Sequence, residues 1–397
     1  MTTSLPKRAL FDIPEDIIYL DGNSLGPLPK GAAARANQVI TEEWGGQLIR
    51  AWNSAGWMAL PTKVGDRIAH LIGAPDGSVA TGDTLSIKVY QALAAALKMR
   101  PDRRVILSDD GNFPTDLYMA EGLIKTIDKG YELRTPAPGD VLAAIDTDVA
   151  VVMLTHVDYR TGRLHDMETI TRAAHAAGAV IIWDLAHSAG ALALDIAGSN
   201  AEFAVGCTYK YLNGGPGAPA FIYARPDLTL DLEPALAGWL GHDAPFAMER
   251  HYRPAMSAER LRVGTPSVVQ LSILDTALDV WDGVDMNDIR AASIALSDLF
   301  ITEVEARCPD LALASPRDAQ ARGSQVSFGF EHGYAAMQAL IDHGVIGDFR
   351  QPNIMRFGFT PLYIDRGDVV RAAEILETVI RDRLWDDPKY QTMSRVT

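Results

Sequence analysis

The stretch "CTYKYLNGGPG", Cys207–Gly217, places Lys210 between two tyrosines and just before a turn of three glycines and a proline. Strand-like apolar segments lie on both sides of it, "AEFAVGCTYK" at 201–210 and "APAFIYAR" at 218–225. A lysine at a strand end is ordinarily a surface residue. A lysine held against a rigid turn can instead present its amine to a carbonyl compound, so its neighbours in the sheet decide between the two interpretations.

Alternating strand and helix patterns on both sides of this stretch predict the fold class. Three further apolar runs are typical of buried strands: "RRVILSDDG" (103–111), "DVAVVMLTHV" (148–157) and "AVIIWDLAH" (179–187). Three segments with helical periodicity lie around them: "LSIKVYQALAAALKM" (85–99), "TDLYMAEGLIKTI" (115–127) and "DMETITRAAHAAG" (166–178). This alternation indicates an α/β fold in which helices cover both faces of a mostly parallel, mixed sheet.

The pattern changes near Leu271, where two long helical segments precede the short strand-like runs "SQVSFGF" and "IMRFGFT". We therefore expect three parts. Residues 1–55 form an N-terminal segment that packs with a small domain, residues 56–280 form the large domain, and residues 281–397 form the small α+β domain.

Composition excludes several functional classes. The 397 residues carry a formal charge of −15, which argues against binding to nucleic acid or to a membrane surface. Apolar runs are too short to cross a bilayer, and the first sixteen residues contain no apolar signal region. The two cysteines, Cys207 and Cys308, form neither a disulfide framework nor a metal site, so we expect no metal and a cytoplasmic location.

Acidic and aromatic side chains are predicted to accompany Lys210 at the carboxyl ends of the strands, where ligands bind in such sheets. Asp184 follows an apolar run and precedes Lys210 by 26 residues, about one helix-plus-strand unit; alone it could be a turn residue. His187 lies three residues further on and alone could be structural. A lysine for the aldehyde and a carboxylate for the ring nitrogen are what pyridoxal 5'-phosphate requires.

Two more features fit that cofactor, although each has an ordinary alternative. Thr84 and Ser86 stand at a helix start whose free N–H groups suit a phosphate dianion, but the same residues could simply cap the helix. Phe113 ends another strand, where its ring could stack on the pyridine or belong to the core. The loop "NGGPG" lacks the G-x-G-x-x-G spacing of a dinucleotide site, and a strand rather than a helix follows it.

Nearly the whole chain resembles the kynureninases, pyridoxal-phosphate enzymes of the aspartate-aminotransferase fold type. The segments that carry the resemblance are "YLDGNSLGPLPK" (19–30), "NFPTD" (112–116), "TGRLHDMETITRAAHAAG" (161–178), "WDLAHSAGALALD" (183–195), "CTYKYLNGGPGAPAF" (207–221), "LAGWLGHD" (236–243), "RVGTPSV" (262–268) and "RFGFTPLY" (356–363). The spacing of "DLAHSAG" and "TYKYLNGG" is highly specific, and "GWLGH" separates kynureninases from the related cysteine desulfurases.

The resemblance implies a role for each matching residue. Lys210 binds the cofactor covalently and later moves protons. The other implied contacts to the cofactor are Asp184 at the ring nitrogen, His187 at the ring oxygen or at the Asp184 carboxylate, Phe113 stacked on the ring, Asp116 in the same motif, Thr155, and Thr84, Leu85, Ser86 and Tyr209 at the phosphate. Asp184 and Tyr209 are also candidate catalytic residues, Tyr209 as a proton donor or relay.

The resemblance also implies an obligate homodimer with a shared active site, in which Trp239 and Thr265 reach the cofactor phosphate of the neighbouring subunit. Arg356 is expected to hold the substrate carboxylate with its bidentate fork. The implied reaction is the hydrolysis of L-kynurenine, or of 3-hydroxy-L-kynurenine, to anthranilate or 3-hydroxyanthranilate and L-alanine, in tryptophan catabolism and NAD biosynthesis. Trp52 and Trp57 line the aromatic end of the substrate pocket or pack between domains or subunits.

Two departures from some relatives bear on the choice between the two substrates. "RVGTPSV" has Gly264 and Thr265 where some relatives carry Ser-Asn, and "EWGGQLIRAWN" lacks a histidine near the substrate ring.

Three rival functions remain in view. The first is another enzyme of the same fold, a cysteine desulfurase or a small-amino-acid aminotransferase. The second is a sensory binding protein that kept the cofactor fold, and the third is a dinucleotide-binding oxidoreductase. A desulfurase needs a reactive cysteine on a mobile loop, whereas Cys207 lies on a strand and Cys308 at a helix end.

Overall fold

The computed structural model describes residues 5–393; residues 1–4 and 394–397, at the ends of the predicted N-terminal segment and small domain, lie outside the described residues. In chain order the strands are β1 Ile18–Tyr19, β2 Val79–Thr81, β3 Val105–Leu107, β4 Glu132–Arg134, β5 Val149–Thr155, β6 Val180–Asp184, β7 Phe203–Gly206, β8 Phe221–Ala224, β9 Ala312–Leu313, β10 Gln325–Gly329, β11 Val345–Ile346, β12 Asp348–Arg350 and β13 Ile354–Gly358. The α-helices are α1 Ala32–Gln38, α2 Ala51–Ser54, α3 Leu60–Leu71, α4 Leu85–Met99, α5 Pro114–Ile127, α6 Val141–Ala144, α7 Met167–Ala177, α8 Val268–Ala277, α9 Met286–Arg307, α10 Gly333–Asp342 and α11 Arg366–Arg381.

Seven strands form the central sheet in the order β2-β8-β7-β6-β5-β3-β4. Strand β8 runs antiparallel to both of its neighbours, while the pairs from β7 to β4 are parallel. Strands β5 to β8 are buried along their whole length, because helices cover both faces and leave no side for polar residues. The carboxyl ends of β5, β6 and β7 therefore meet at one edge.

Alternate residues of β6, β7 and β8 enter two separate apolar cores. On β6, Ile182 packs with α4 and α5 on one face, whereas Ile181 and Trp183 pack with α3, α7 and α8 on the other. This period of two is the geometry of a strand whose successive side chains point to opposite faces. The predicted fold class, α/β with a mixed sheet between helical layers, is confirmed.

Strands β12, β13, β10 and β9 form a second, antiparallel sheet; α9 and α10 pack against it, and α11 packs against these two helices. The start of the chain joins this region because β1 pairs in parallel with β11, with Ile18 opposite Val345. The boundaries of the three predicted parts remain a prediction. Among residues 5–393, no helix combines the length and the apolar character needed to cross a bilayer.

Candidate active site

Lys210 lies in a tight turn four residues beyond β7. Its carbonyl accepts a hydrogen bond from Asn213, which adopts the left-handed conformation (φ 59°), at 2.9 Å. The neighbouring carbonyl of Tyr209 accepts from the N–H of Gly26 at 2.8 Å. A side chain at position 26 would place its Cβ 2.4 Å from the Lys210 oxygen, so only glycine permits this approach. The backbone of the lysine is therefore fixed from two directions.

The amine of Lys210 lies 2.9 Å from Nε2 of His187, which is buried. Burial, and then the charge of Lys210, hold the pKa of His187 well below its usual value, so the imidazole is neutral. Within the described part of the chain, its other nitrogen, Nδ1, is buried without a hydrogen-bond partner. A buried polar atom without a partner at this position fits a ligand group beside the ring.

Asp184 is the last residue of β6 and is 2% exposed. Its Oδ1 accepts from the N–H of Ala186 at 2.7 Å, and its Oδ2 lies 3.3 Å from the hydroxyl of Thr155 on the neighbouring strand. Burial raises the pKa of Asp184, although Lys210 opposes that rise. A desolvated carboxylate with few partners is suited to a cationic ring nitrogen.

Asp116, on the first turn of α5, is buried against Asp184. Burial, and then the charge of Asp184, raise its pKa well above the ordinary value, and its Oδ2 has no partner among residues 5–393. Two carboxyl groups that share one buried site cannot both be ionised at low cost, so the pair holds a proton.

The phosphate end of the predicted site is a cavity of about 370 Å³ beside the start of α4. It is lined by Ser24, Leu25, Thr84, Leu85, Cys207, Tyr209, Pro216, Gly217, Ala218 and Ala220. Thr84 occupies the N-cap position of α4, yet its side chain does not cap the helix. The N–H groups of the first turn, which includes Ser86, are thus left for an anion.

Phe113 stands immediately before α5 with 41% of its surface exposed. Its ring meets that of Tyr159 edge-on, with 5.2 Å between the centroids. The core alternative for Phe113 is wrong, because a core phenylalanine would be buried. Pyridoxal phosphate fits this set of groups: a lysine, two paired carboxylates, a neutral histidine, an exposed aromatic ring and a helix start with free N–H groups.

The predicted residues Trp239 and Thr265 do not line this cavity. The indole of Trp239 is 41% exposed and packs against Phe246, while Thr265 is exposed and lines a neighbouring pocket of about 180 Å³. Gly238 packs directly on Val263, which brings Trp239 close to the segment that carries Thr265.

Arg356 is 1% exposed and donates from Nε to Oδ1 of Asp348 at 2.5 Å, and from Nη2 to Oδ2. Of the two tryptophans, Trp57 is buried and donates to Glu43 at 2.7 Å, which favours the packing alternative for it. Trp52 meets Trp57 edge-on in the same cluster.

Two curated kynureninases, from Burkholderia pseudomallei (strain 1106a) and Pseudomonas fluorescens, are each 51% identical to this chain. Each alignment covers 99% of the chain and 96% of the relative. A sequence profile described as the kynureninase C-terminal domain matches residues 289–376.

This chain belongs to the kynureninase family.

Solved structures of two other enzymes show the same fold. Cysteine desulfurase from Thermococcus onnurineus NA1 superposes with a TM-score of 0.80 over 96% of this chain and 99% of that one, at 17% identity. The cystine C–S lyase C-DES, in complex with cysteine persulfide, gives 0.77 over 91% and 98%, at 17% identity. At these identities the likeness concerns the fold and not the reaction.

The cysteines give no support to the desulfurase alternative. Cys207 is buried, and burial raises the pKa of its thiol. Cys308 is buried at the end of α9, and burial raises its pKa to about 11. Neither is the exposed, low-pKa thiol that a persulfide-forming enzyme needs.

Three polar residues that surround Arg356 and the cavity were not predicted from the sequence: Ser24, Asp348 and Arg350. Ser24 donates to Asp348 at 2.9 Å, and Arg350 pairs with the same carboxylate at 2.8 Å. The sequence does contain a pattern that could have indicated this charge cluster. In "DFR" (348–350), two opposite charges lie two residues apart and therefore on one face of a strand, in an otherwise apolar region.

We expect Asp116→Asn to stabilise the protein without cofactor by about 1–3 kcal/mol at pH 8, because asparagine removes the cost of ionising a second buried carboxyl group beside Asp184. A carboxyl group with a raised folded-state pKa stabilises the fold below its unfolded pKa, and this contribution is lost as the pH rises through the folded pKa. The advantage of asparagine should therefore shrink from pH 8 to pH 4.5. Urea unfolding at both pH values measures it.

The exposed neighbour Asp110 provides the matched control, since Asp110→Asn should change stability by less than about 0.5 kcal/mol at either pH. An Asp116→Asn variant that is less stable than the wild type at pH 8 would contradict the shared-proton interpretation.

Proposed function

We propose that this protein is a pyridoxal-phosphate-dependent hydrolase that cleaves L-kynurenine with water to anthranilate and L-alanine. The observation that carries the proposal is 51% identity to curated kynureninases over 99% of the chain. The convergence of Lys210, Asp184 and the α4 N-terminus at one edge of the sheet supports it independently. The bond broken joins the β-carbon to the γ-carbonyl carbon, so water supplies the hydroxyl of the anthranilate carboxyl group and the hydrogen that alanine gains.

Bound pyridoxal phosphate supplies an electron sink for the α- and β-carbons of the substrate. Lys210 would hold the cofactor aldehyde, and its amine, once free, would accept and return the α-proton. This role is supported by the fixed turn and by His187, whose neutral Nε2 accepts a hydrogen bond from the amine. Asp184 would pair with the ring nitrogen, and Asp116 would share a proton with Asp184.

The remaining cofactor contacts follow the shape of the site. Phe113 would stack on the ring, Thr155 would orient Asp184 through its hydroxyl, and Thr84, Leu85, Ser86 and Tyr209 would hold the phosphate. Burial, and then Cys207, raise the pKa of the Tyr209 phenol, so it stays protonated at neutral pH and can donate a proton. Arg356 binds the substrate carboxylate.

We further propose a homodimer in which Trp239 and Thr265 complete the site of the partner. Both residues are exposed and lie outside the cavity beside α4. Thr265 lines the neighbouring pocket, and Gly217 lines both that pocket and the cavity, which supports this arrangement. The division into residues 1–55, 56–280 and 281–397 and a cytoplasmic location belong to the same proposal. The two free cysteines support a reducing compartment.

The test is to add L-kynurenine to the purified yellow protein and to follow anthranilate fluorescence. We expect anthranilate and L-alanine in equal amounts, and a comparison of kcat/KM with that for 3-hydroxy-L-kynurenine gives the preferred substrate. A protein that binds pyridoxal phosphate but leaves both kynurenines unchanged would overturn the proposal. Sulfide release from cysteine would then favour the desulfurase alternative.

A further inference from the structure

Arg356 is held by a carboxylate on the neighbouring strand, directly opposite it in the register. Asp348 on β12 is the register partner of Arg356 on β13, and both side chains are almost fully buried. The carboxylate takes the Nε and Nη2 donors of the guanidinium, and the carbonyl of Tyr159 accepts from Nη1. One edge of the planar fork is thus committed to Asp348. Three of the five N–H donors are used, which leaves one on Nη1 and one on Nη2, and these two form the free edge that a second carboxylate would take.

A second arginine reaches the same carboxylate. Arg350 lies two residues beyond Asp348 on the same face of β12, 2.8 Å from its Oδ2, and its side chain is 34% exposed. Ser24 donates to that oxygen at 2.9 Å and also lines the cofactor cavity. One hydroxyl group therefore separates the charge cluster from the cavity.

Charge decides what Arg350 contributes. Arg356 and Asp348 alone form a neutral pair, which has little attraction for an anionic substrate. Arg350 restores one net positive charge. The nearby Asp21 opposes it less than an exposed aspartate would, because burial, and then the charge of Asp348, raise the pKa of Asp21 well above its ordinary value.

We propose that Asp348 and Arg350 are positioning residues for substrate recognition: Asp348 orients the free edge of Arg356, and Arg350 offsets the charge of Asp348. This inference rests on the proposed function and on the role of Arg356 in it. The ligand group recognised is the α-carboxylate of the amino-acid substrate.

The test measures KM and kcat for L-kynurenine with Asp348→Asn, Arg350→Gln and Arg350→Lys. We expect KM to rise about 10- to 100-fold in the first two variants, the range for a charge-assisted hydrogen bond, with kcat within about threefold of the wild type. Arg350→Lys keeps the charge and should recover most of the loss. The inhibition constant of the decarboxylated analogue of L-kynurenine should change less than about twofold in all three.

Asp298 offers a control, because it is an aspartate of α9 that pairs with another buried arginine, Arg322. Asp298→Asn should leave KM unchanged. The direction of the change in KM for Asp348→Asn is decisive. Removing a negative charge would lower KM if charge alone mattered, whereas the loss of orientation of Arg356 raises it.

A lowered KM in Asp348→Asn, or equal losses for kynurenine and its decarboxylated analogue, would overturn the inference. The same holds if KM in Arg350→Gln stays within twofold of the wild type while the wild type releases anthranilate. Because Arg350 is partly exposed, we expect its variants to fold, and their KM values test the inference even if Asp348→Asn does not fold. A wild type that releases no anthranilate would instead refute the proposed function.

Discussion

Replacing Lys210 with alanine is expected to lower kcat for anthranilate release by at least about 10⁴-fold, since one residue supplies both the covalent attachment and the proton transfer. Its amine lies 2.9 Å from His187, and its backbone is fixed by Gly26 and Asn213. Among the described residues, those that line the adjacent cavity include no lysine whose amine could replace that of Lys210.

A second readout does not depend on turnover. Borohydride reduction followed by mass spectrometry should fix the cofactor on Lys210 of the wild-type chain and leave the Lys210→Ala chain unmodified. Lys63→Ala, which removes an exposed lysine paired with Asp275, is the control and should retain full activity. Cofactor found on another lysine of the wild type would contradict the assignment.

A buried lysine is not in itself a reactive lysine, as Lys88 illustrates. Its side chain is fully buried on α4, but the amine has three acceptors: Asp83 at 3.2 Å, Gln91 at 3.0 Å and the carbonyl of Leu261 at 3.1 Å. All three N–H donors are used, which makes Lys88 a structural residue. The sequence could not reveal this, because the carbonyl comes from a segment 173 residues away.

The residues at strand ends were predictable because the signal is local. An apolar run that stops at a carboxylate marks the end of a buried strand, and β6 does end at Asp184. The turn after β7 was equally marked by its glycines and proline. Strand lengths were less well predicted: the run at 103–111 contains only the three strand residues Val105–Leu107, since the following polar residues form the turn into α5.

Contacts between distant segments were not predictable. The pairing of Asp348 with Arg356 depends on the register of two antiparallel strands, and a shift of one residue would separate them. Trp57 could be assigned to the core only once Glu43 was found within 2.7 Å of its indole nitrogen. The π-helix at Val39–Gln47, which carries the exposed Trp44, was not predicted from the sequence.

Asp184→Asn is expected to lower kcat by about 10²–10³-fold, the range for removing one preorganised electrostatic partner from a buried site. Asparagine keeps the size of the side chain and its acceptor for the N–H of Ala186, but it loses the negative charge that keeps the ring nitrogen protonated. Asp116 cannot take over fully, because burial, the larger cause of its raised pKa, is unchanged by the substitution.

Glu202→Gln is the matched control. Glu202 is also a buried acid of the same sheet, but it precedes β7 at the opposite edge, where it bonds His175 and Arg225. Because ligands bind at the carboxyl ends of the strands, its loss should cost stability and leave kcat nearly unchanged. Equal losses of kcat in the two variants, with cofactor content intact, would mean that Asp184 acts through folding and not through the ring nitrogen. A loss confined to Asp184→Asn, partly restored in Asp184→Glu, would assign the electrostatic role to the carboxylate itself.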